Sequence, residues 1–129
     1  MDKLGFIGIG AMGRPMATNL VNAGYSMTVY DVVSEAMRPL VDLGAHAAGS
    51  VGEVSDSSDI IFTMLPNSPE VEEVILGPGG IIQNGREGMM VVDTSTIYPE
   101  STDKVAAELA THGMEFADAG VGRQQIHAQ

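Results

Sequence analysis

Six residues near the amino end, Gly8-Ile9-Gly10-Ala11-Met12-Gly13, have the spacing G-x-G-x-x-G. The chain holds 16 glycines in 129 residues, so the pattern alone arises easily by chance and its surroundings decide. An apolar run, Leu4 to Ile9, leads into it. Apolar residues at Met12, Met16, Leu20 and Ala23 follow at helical spacing. Asp31 comes 18 residues after Gly13, where a second apolar run, Met27 to Tyr30, ends. Each residue type then has a chemical job. Gly8 permits a tight turn, Gly10 lets a pyrophosphate approach the main chain, and Gly13 lets the helix pack close to the strand. The N–H groups of about Ala11 and Met12 face the diphosphate at the positive end of that helix. The Asp31 carboxylate accepts from adenosine ribose hydroxyls and repels a 2′-phosphate. Val32-Val33-Ser34 supplies no Arg to hold one, so the expected cofactor is NAD rather than NADP. The plainer alternative is a glycine-rich turn with a surface aspartate at a strand end.

The rest of the chain alternates apolar runs with amphipathic ones. A helix is expected over 11–23, stopped by Gly24, and another from Ser34 as cap to about Leu43. Pro39 lies deep in the second, which predicts a late start or a kink. A short strand at 45–48 and a short helix over 51–57 come next. Ile60 to Leu65 is apolar on both faces, as suits the centre of a parallel sheet, and Pro66 ends it. An acidic helix over 70–76 precedes the loop Gly77-Pro78-Gly79-Gly80. Met89 to Val92 is a strand that runs into Asp93-Thr94-Ser95-Thr96. A helix over 99–112 places Val105, Leu109 and His112 near one face, and Met114 to Ala117 is the sixth strand. Strands alternating with helices predict an α/β doubly wound parallel sheet, in the order 3-2-1-4-5-6, with helices on both faces. A single dinucleotide-binding domain over 1–129 accounts for the whole chain.

Composition narrows the partners. Six Lys plus Arg stand against 17 Asp plus Glu, a formal charge of −11, so neither nucleic acid nor an anionic membrane surface is an expected partner. Backbone amides at a helix start bind an anion without a basic surface. The absence of Cys removes thiolate chemistry and Cys-based zinc sites. His46, His112 and His127 have no ligand-like spacing. Without a signal peptide or a long apolar run, the expected location is the cytoplasm. Glu70, Glu72 and Glu73 read as a solvated helix face, and the methionines as core. Asp118 ends a buried strand, where an acid more often orders the next loop than does chemistry.

The segment Gly5-Phe6-Ile7-Gly8-Ile9-Gly10-Ala11-Met12-Gly13-Arg14-Pro15-Met16-Ala17 closely resembles the amino-terminal signature of the 3-hydroxyisobutyrate dehydrogenase (β-hydroxyacid dehydrogenase) family. So do Tyr30-Asp31, Thr63-Met64-Leu65-Pro66 and Asp93-Thr94-Ser95-Thr96, in register along the whole chain. The resemblance implies that Leu65 and Pro66 lie against the cofactor and that Thr96 approaches its nicotinamide side. On residues alone, Leu65-Pro66 is a strand end with a turn proline, and Thr96 is a helix cap before Pro99. A 6-phosphogluconate dehydrogenase-like reading shares the first motif, but that group prefers Asn-Arg in the Asp31 region.

Near its end the chain departs from the family's common Asp-Ala-Pro-Val-Ser-Gly-Gly. It reads Asp118-Ala119-Gly120-Val121-Gly122-Arg123 and resembles the branch containing 3-sulfolactaldehyde reductase. An Arg at a strand's carboxyl end sets a bidentate cation beside the nicotinamide, so Arg123 is a candidate clamp for a small anionic substrate, sulfonate or carboxylate. The alternative is an exposed Arg in a loop. Family members are about twice as long, with a helical second domain that carries the catalytic Lys and supports dimerisation. The lysines here, Lys3 and Lys104, match neither that position nor its surroundings. The expectation is the NAD-binding half of a hydride-transferring oxidoreductase acting on a small 3-hydroxy acid or its semialdehyde. In isolation it would bind cofactor without turnover and self-associate through surface that a second domain covers. The alternative is a standalone, non-enzymatic dinucleotide module or sensor.

Overall fold

A computed structural model of the chain describes residues 3–10, 13–95, 99–119 and 125–127, the last three by backbone alone. The glycine-flanked run at the start forms β1 (Leu4–Ile7), and α1 (Gly13–Asn22) follows it. β2 (Met27–Tyr30) leads through a 3-10 turn at Ser34–Met37 into α2 (Arg38–Asp42). Pro39 is the reason for that split, because it fits the first turn of an α-helix but not its interior. Ser34 does not cap: Val33 precedes the 3-10 turn with no side-chain cap bond. Next come β3 (His46–Ala47), α3 (Val51–Ser57), β4 (Ile60–Thr63) and α4 (Ser68–Leu76). α5 (Ile81–Asn84), β5 (Met90–Asp93), α6 (Pro99–Ala110), β6 (Glu115–Asp118) and β7 (Gln125–His127) complete the chain.

The sheet runs β3-β2-β1-β4-β5-β6-β7. Its first six strands are parallel in the expected 3-2-1-4-5-6 order, and β7 adds to β6 antiparallel. Neither β7 nor the four-residue α5 is foreseen by periodicity, since each is too short to show one. β4 stops at Thr63 rather than Leu65: the Met64 N–H still donates to the Ile7 oxygen at 2.9 Å, but the Leu65 N–H turns to the Ser95 hydroxyl at 2.6 Å. His112 lies beyond the end of α6 and is exposed, so it does not join Val105 and Leu109 in the core.

Side chains alternate along each strand and feed two cores. Ile7, Ile61, Val91 and Phe116 meet Val54, Val71, Ile75, Ile81, Val105 and Leu109 from α3 to α6. On the opposite face Leu4, Phe6 and Val29 meet Ala17 of α1, Met37 of the 3-10 turn and Leu40 of α2. There the rings of Phe6 and Phe62 stack with centroids 5.8 Å apart. Both cores draw β1 toward the middle of the sheet, so its carboxyl end opens between β2 and β4. Among the described residues no helix is long and apolar enough to cross a membrane.

Phe6 is fully buried and belongs to the central strand. Phe6→Ala is expected to lower the unfolding free energy by about 3–5 kcal/mol, read by urea denaturation. A loss under about 1 kcal/mol would show that the core beneath α1 is not closed as described.

Candidate functional site

Ile7 ends β1, and the chain turns at once. Gly8 has φ 100°, and a Cβ there would lie 2.1 Å from the Met64 carbonyl oxygen. Gly13 begins α1 against the same turn, where a Cβ would lie 2.1 Å from the Gly8 oxygen. Both positions therefore exclude any larger residue on packing grounds. Gly10 differs, since a Cβ built on it meets nothing within 4 Å among the described residues. Its missing side chain serves no internal contact and leaves open space in front of the backbone. The Arg14 N–H donates to the Gly10 oxygen at 2.9 Å, so the helix ladder begins at this point.

Asp31 holds the turn from the side of β2. Its Oδ2 accepts from the Ile9 N–H at 2.7 Å, and its Oδ1 accepts from the Val33 N–H at 2.8 Å. The carboxylate thus ties the x of G-x-G to the end of the neighbouring strand. It is half-buried and keeps further acceptor capacity on both oxygens.

A cleft of about 250 Å³ opens over this turn, lined among others by Gly8, Gly10, Tyr30, Asp31, Leu65 and Pro66. Of the residues singled out from the sequence, the structure brings together Gly8, Gly10, Asp31, Leu65 and Pro66. Gly13 stands behind them at the start of α1. Ala11, Met12, Thr96 and Arg123 lie outside the described residues. Val32, Met64 and Val74 also line the cleft without having been picked out. For Val32 the available signal was an apolar residue placed directly after a strand-ending acid; it is 88 % exposed.

Residues 3–129 match the family described as the NAD binding domain of 6-phosphogluconate dehydrogenase. The chain belongs to this family of NAD-binding domains. It is 40% identical over 128 residues to 3-sulfolactaldehyde reductase of Escherichia coli, a match covering 99% of this chain and 43% of that protein. It is 43% identical over 119 residues to 2-(hydroxymethyl)glutarate dehydrogenase of Eubacterium barkeri, covering 92% and 40%. Among solved structures, 3-hydroxyisobutyrate dehydrogenase of Mycobacterium tuberculosis with L-serine superposes with a TM-score of 0.84 at 30% identity, covering 92% of this chain and 40% of that one. Together these place the chain as the NAD-binding domain of the 3-hydroxyisobutyrate dehydrogenase group. It spans less than half the length of the curated relatives named here.

Behind the cleft the NAD-binding domain buries a row of polar side chains at the ends of its central strands. Thr63, Asp93 and Asp118 are register neighbours on β4, β5 and β6, and all three are fully buried. The Thr63 hydroxyl donates to Asp93 Oδ1 at 2.7 Å, and the Ser95 N–H donates to the same oxygen at 3.2 Å. Asp93 Oδ2 has no hydrogen-bond partner among the described residues. Burial pushes the Asp93 carboxyl above the ordinary carboxylate range, and the nearby Asp118 charge pushes the same way. Hydrogen bonds from Thr63 and Ser95 oppose the shift without cancelling it.

An acid whose pKa is raised by folding binds its proton more tightly in the native chain. Through this group, stability is greatest at low pH and falls as pH rises from the ordinary carboxylate value to the raised one. Glu53, Asp59 and Glu72 are shifted down and act in the opposite sense, but they are common to parent and variant. Asp93→Asn keeps an acceptor for Thr63 and Ser95 without the charge. Urea denaturation between about pH 4 and 8 should show the variant gaining on the parent as pH rises. A difference that stays constant across that range would mean Asp93 titrates normally.

Proposed function

We propose that the chain is the NAD-binding half of an oxidoreductase that moves a hydride between NAD(H) and a small 3-hydroxy acid or its semialdehyde. The observation that carries this reading is the open space at Gly10, set between the start of α1 and the Asp31 carboxylate. A diphosphate fits there because the backbone is bare, and a ribose fits beside it because each Asp31 oxygen can accept one more hydrogen bond. Val32 offers apolar surface next to that ribose position for an adenine ring. Leu65 and Pro66 form the opposite wall. When bound, the nicotinamide ring supplies or accepts the hydride.

The substrate end rests on the sequence. Thr96 is assigned to the nicotinamide side and Arg123 to the substrate's anionic group. The two curated relatives described above are named for a sulfonated aldehyde and for a substituted dicarboxylate, and both support an anionic substrate. A proton must also reach or leave the substrate oxygen. Lys104 of α6 is ion-paired with Glu72 of α4 at 3.1 Å, and Lys3 precedes β1; neither lines the cleft. The 129-residue chain by itself is therefore assigned binding without turnover, with a Lys-bearing helical domain completing the enzyme.

Calorimetric titration of the chain tests the reading. NADH should bind, and NADPH should bind at least about tenfold more weakly, because the Asp31 charge opposes a 2′-phosphate. Equal affinities would remove Asp31 from its assigned place. Reduction of succinic semialdehyde by the chain alone would contradict the assignment of binding without turnover.

A further inference from the structure

Ser95 belongs to no wall of the cleft, yet it is bonded to one. It is 1% exposed, one residue beyond Thr94 in the turn that follows β5. Its Oγ accepts from the Leu65 N–H at 2.6 Å, across the gap between the ends of β5 and β4. Its own N–H is held by Asp93 Oδ1, which the Thr63 hydroxyl also grips. Leu65 in turn packs over the glycine turn, its Cδ2 lying 3.2 Å from where a Gly8 Cβ would be. Leu65 has left the sheet, so its amide has no neighbouring strand to pair with. One continuous path therefore runs from the buried Asp93 through Ser95 and Leu65 to the floor of the cleft.

We propose that Ser95 is a positioning residue for dinucleotide binding, fixing the Leu65–Pro66 wall against the glycine turn. The inference rests on the reading of the cleft given under Proposed function. It does not place Ser95 in contact with the dinucleotide. Its effect passes through the Leu65 amide, so it should be separable from a general loss of stability. Thr94 supplies the comparison. It is 3% exposed, and its hydroxyl donates to the Thr63 main-chain oxygen at 2.7 Å, a bond of similar burial that does not hold the Leu65 amide.

The test compares Ser95→Ala, Ser95→Thr and Thr94→Val in the full 129-residue chain, with NADH affinity and amide hydrogen exchange as readouts. Ser95→Ala should weaken NADH about fivefold, the size of one lost hydrogen bond, and should speed exchange at Leu65. Ser95→Thr keeps the oxygen and should retain most of the affinity. Thr94→Val should lower thermal stability with NADH affinity unchanged. Equal losses of affinity in Ser95→Ala and Thr94→Val would overturn the proposal, as would unchanged affinity in Ser95→Ala. If Ser95→Ala does not fold, exchange in the parent decides: a Leu65 amide as fast as an unprotected one overturns the proposal, and a slow one supports it. A parent that binds no NADH would instead sink the functional reading, while the Leu65 amide still reports on the link.

Discussion

The start of α1 lies so close to the end of β1 that a single methyl group at residue 13 would sit 2.1 Å from the Gly8 oxygen. That approach organises the amino-terminal half of the domain. It brings the amino end of a ten-residue helix to the carboxyl edge of the central strand. It needs Gly at 13 for space and Gly at 8 for a positive φ. The strand order then matters, because β1 sits between β2 and β4 and each sends a residue to the same place. β2 delivers Asp31 and the β4 end delivers Leu65 and Pro66. In the reading proposed above, this edge lets a chain of net charge −11 meet a diphosphate with main-chain amides rather than a basic surface.

Much of this was readable from residue types. The parallel order 3-2-1-4-5-6 followed from alternating apolar and amphipathic runs, and the match extends to the family assignment. Segment ends were less readable, and for identifiable reasons. Pro39 divided the 34–43 segment into a 3-10 turn and an α-helix. β7 is held by pairing with β6 rather than by local preference, so a three-residue stretch carried no signal of it. At the site, residue spacing pointed to Gly8, Gly10 and Asp31. It did not show that Asp31 holds Ile9, because such a bond depends on how two strand ends are aligned in space. Ser95 was visible only as part of the block 93–96, since a buried hydroxyl between two loops leaves no periodic trace.

The polar row Thr63–Asp93–Asp118 lies buried across three neighbouring strands, β4, β5 and β6. Burial, and to a lesser degree the neighbouring Asp118 charge, disfavour the ionised form of Asp93. Apolar residues in these places would pack with less penalty. The acids are found at the carboxyl ends of the strands, the edge where open α/β sheets bind ligands. Their position agrees with a division of labour in which the strands supply stability below and the strand ends supply placement above.

The bond between Asp31 and the Ile9 amide ties the glycine turn to the end of β2 through protein atoms alone. The Gly8–Gly10 segment therefore takes its shape during folding, and a visitor meets a receptor already formed. Little ordering of this segment remains to slow capture. Discrimination between similar nucleotides at this cleft should then reside in how long each one stays, not in how fast it arrives.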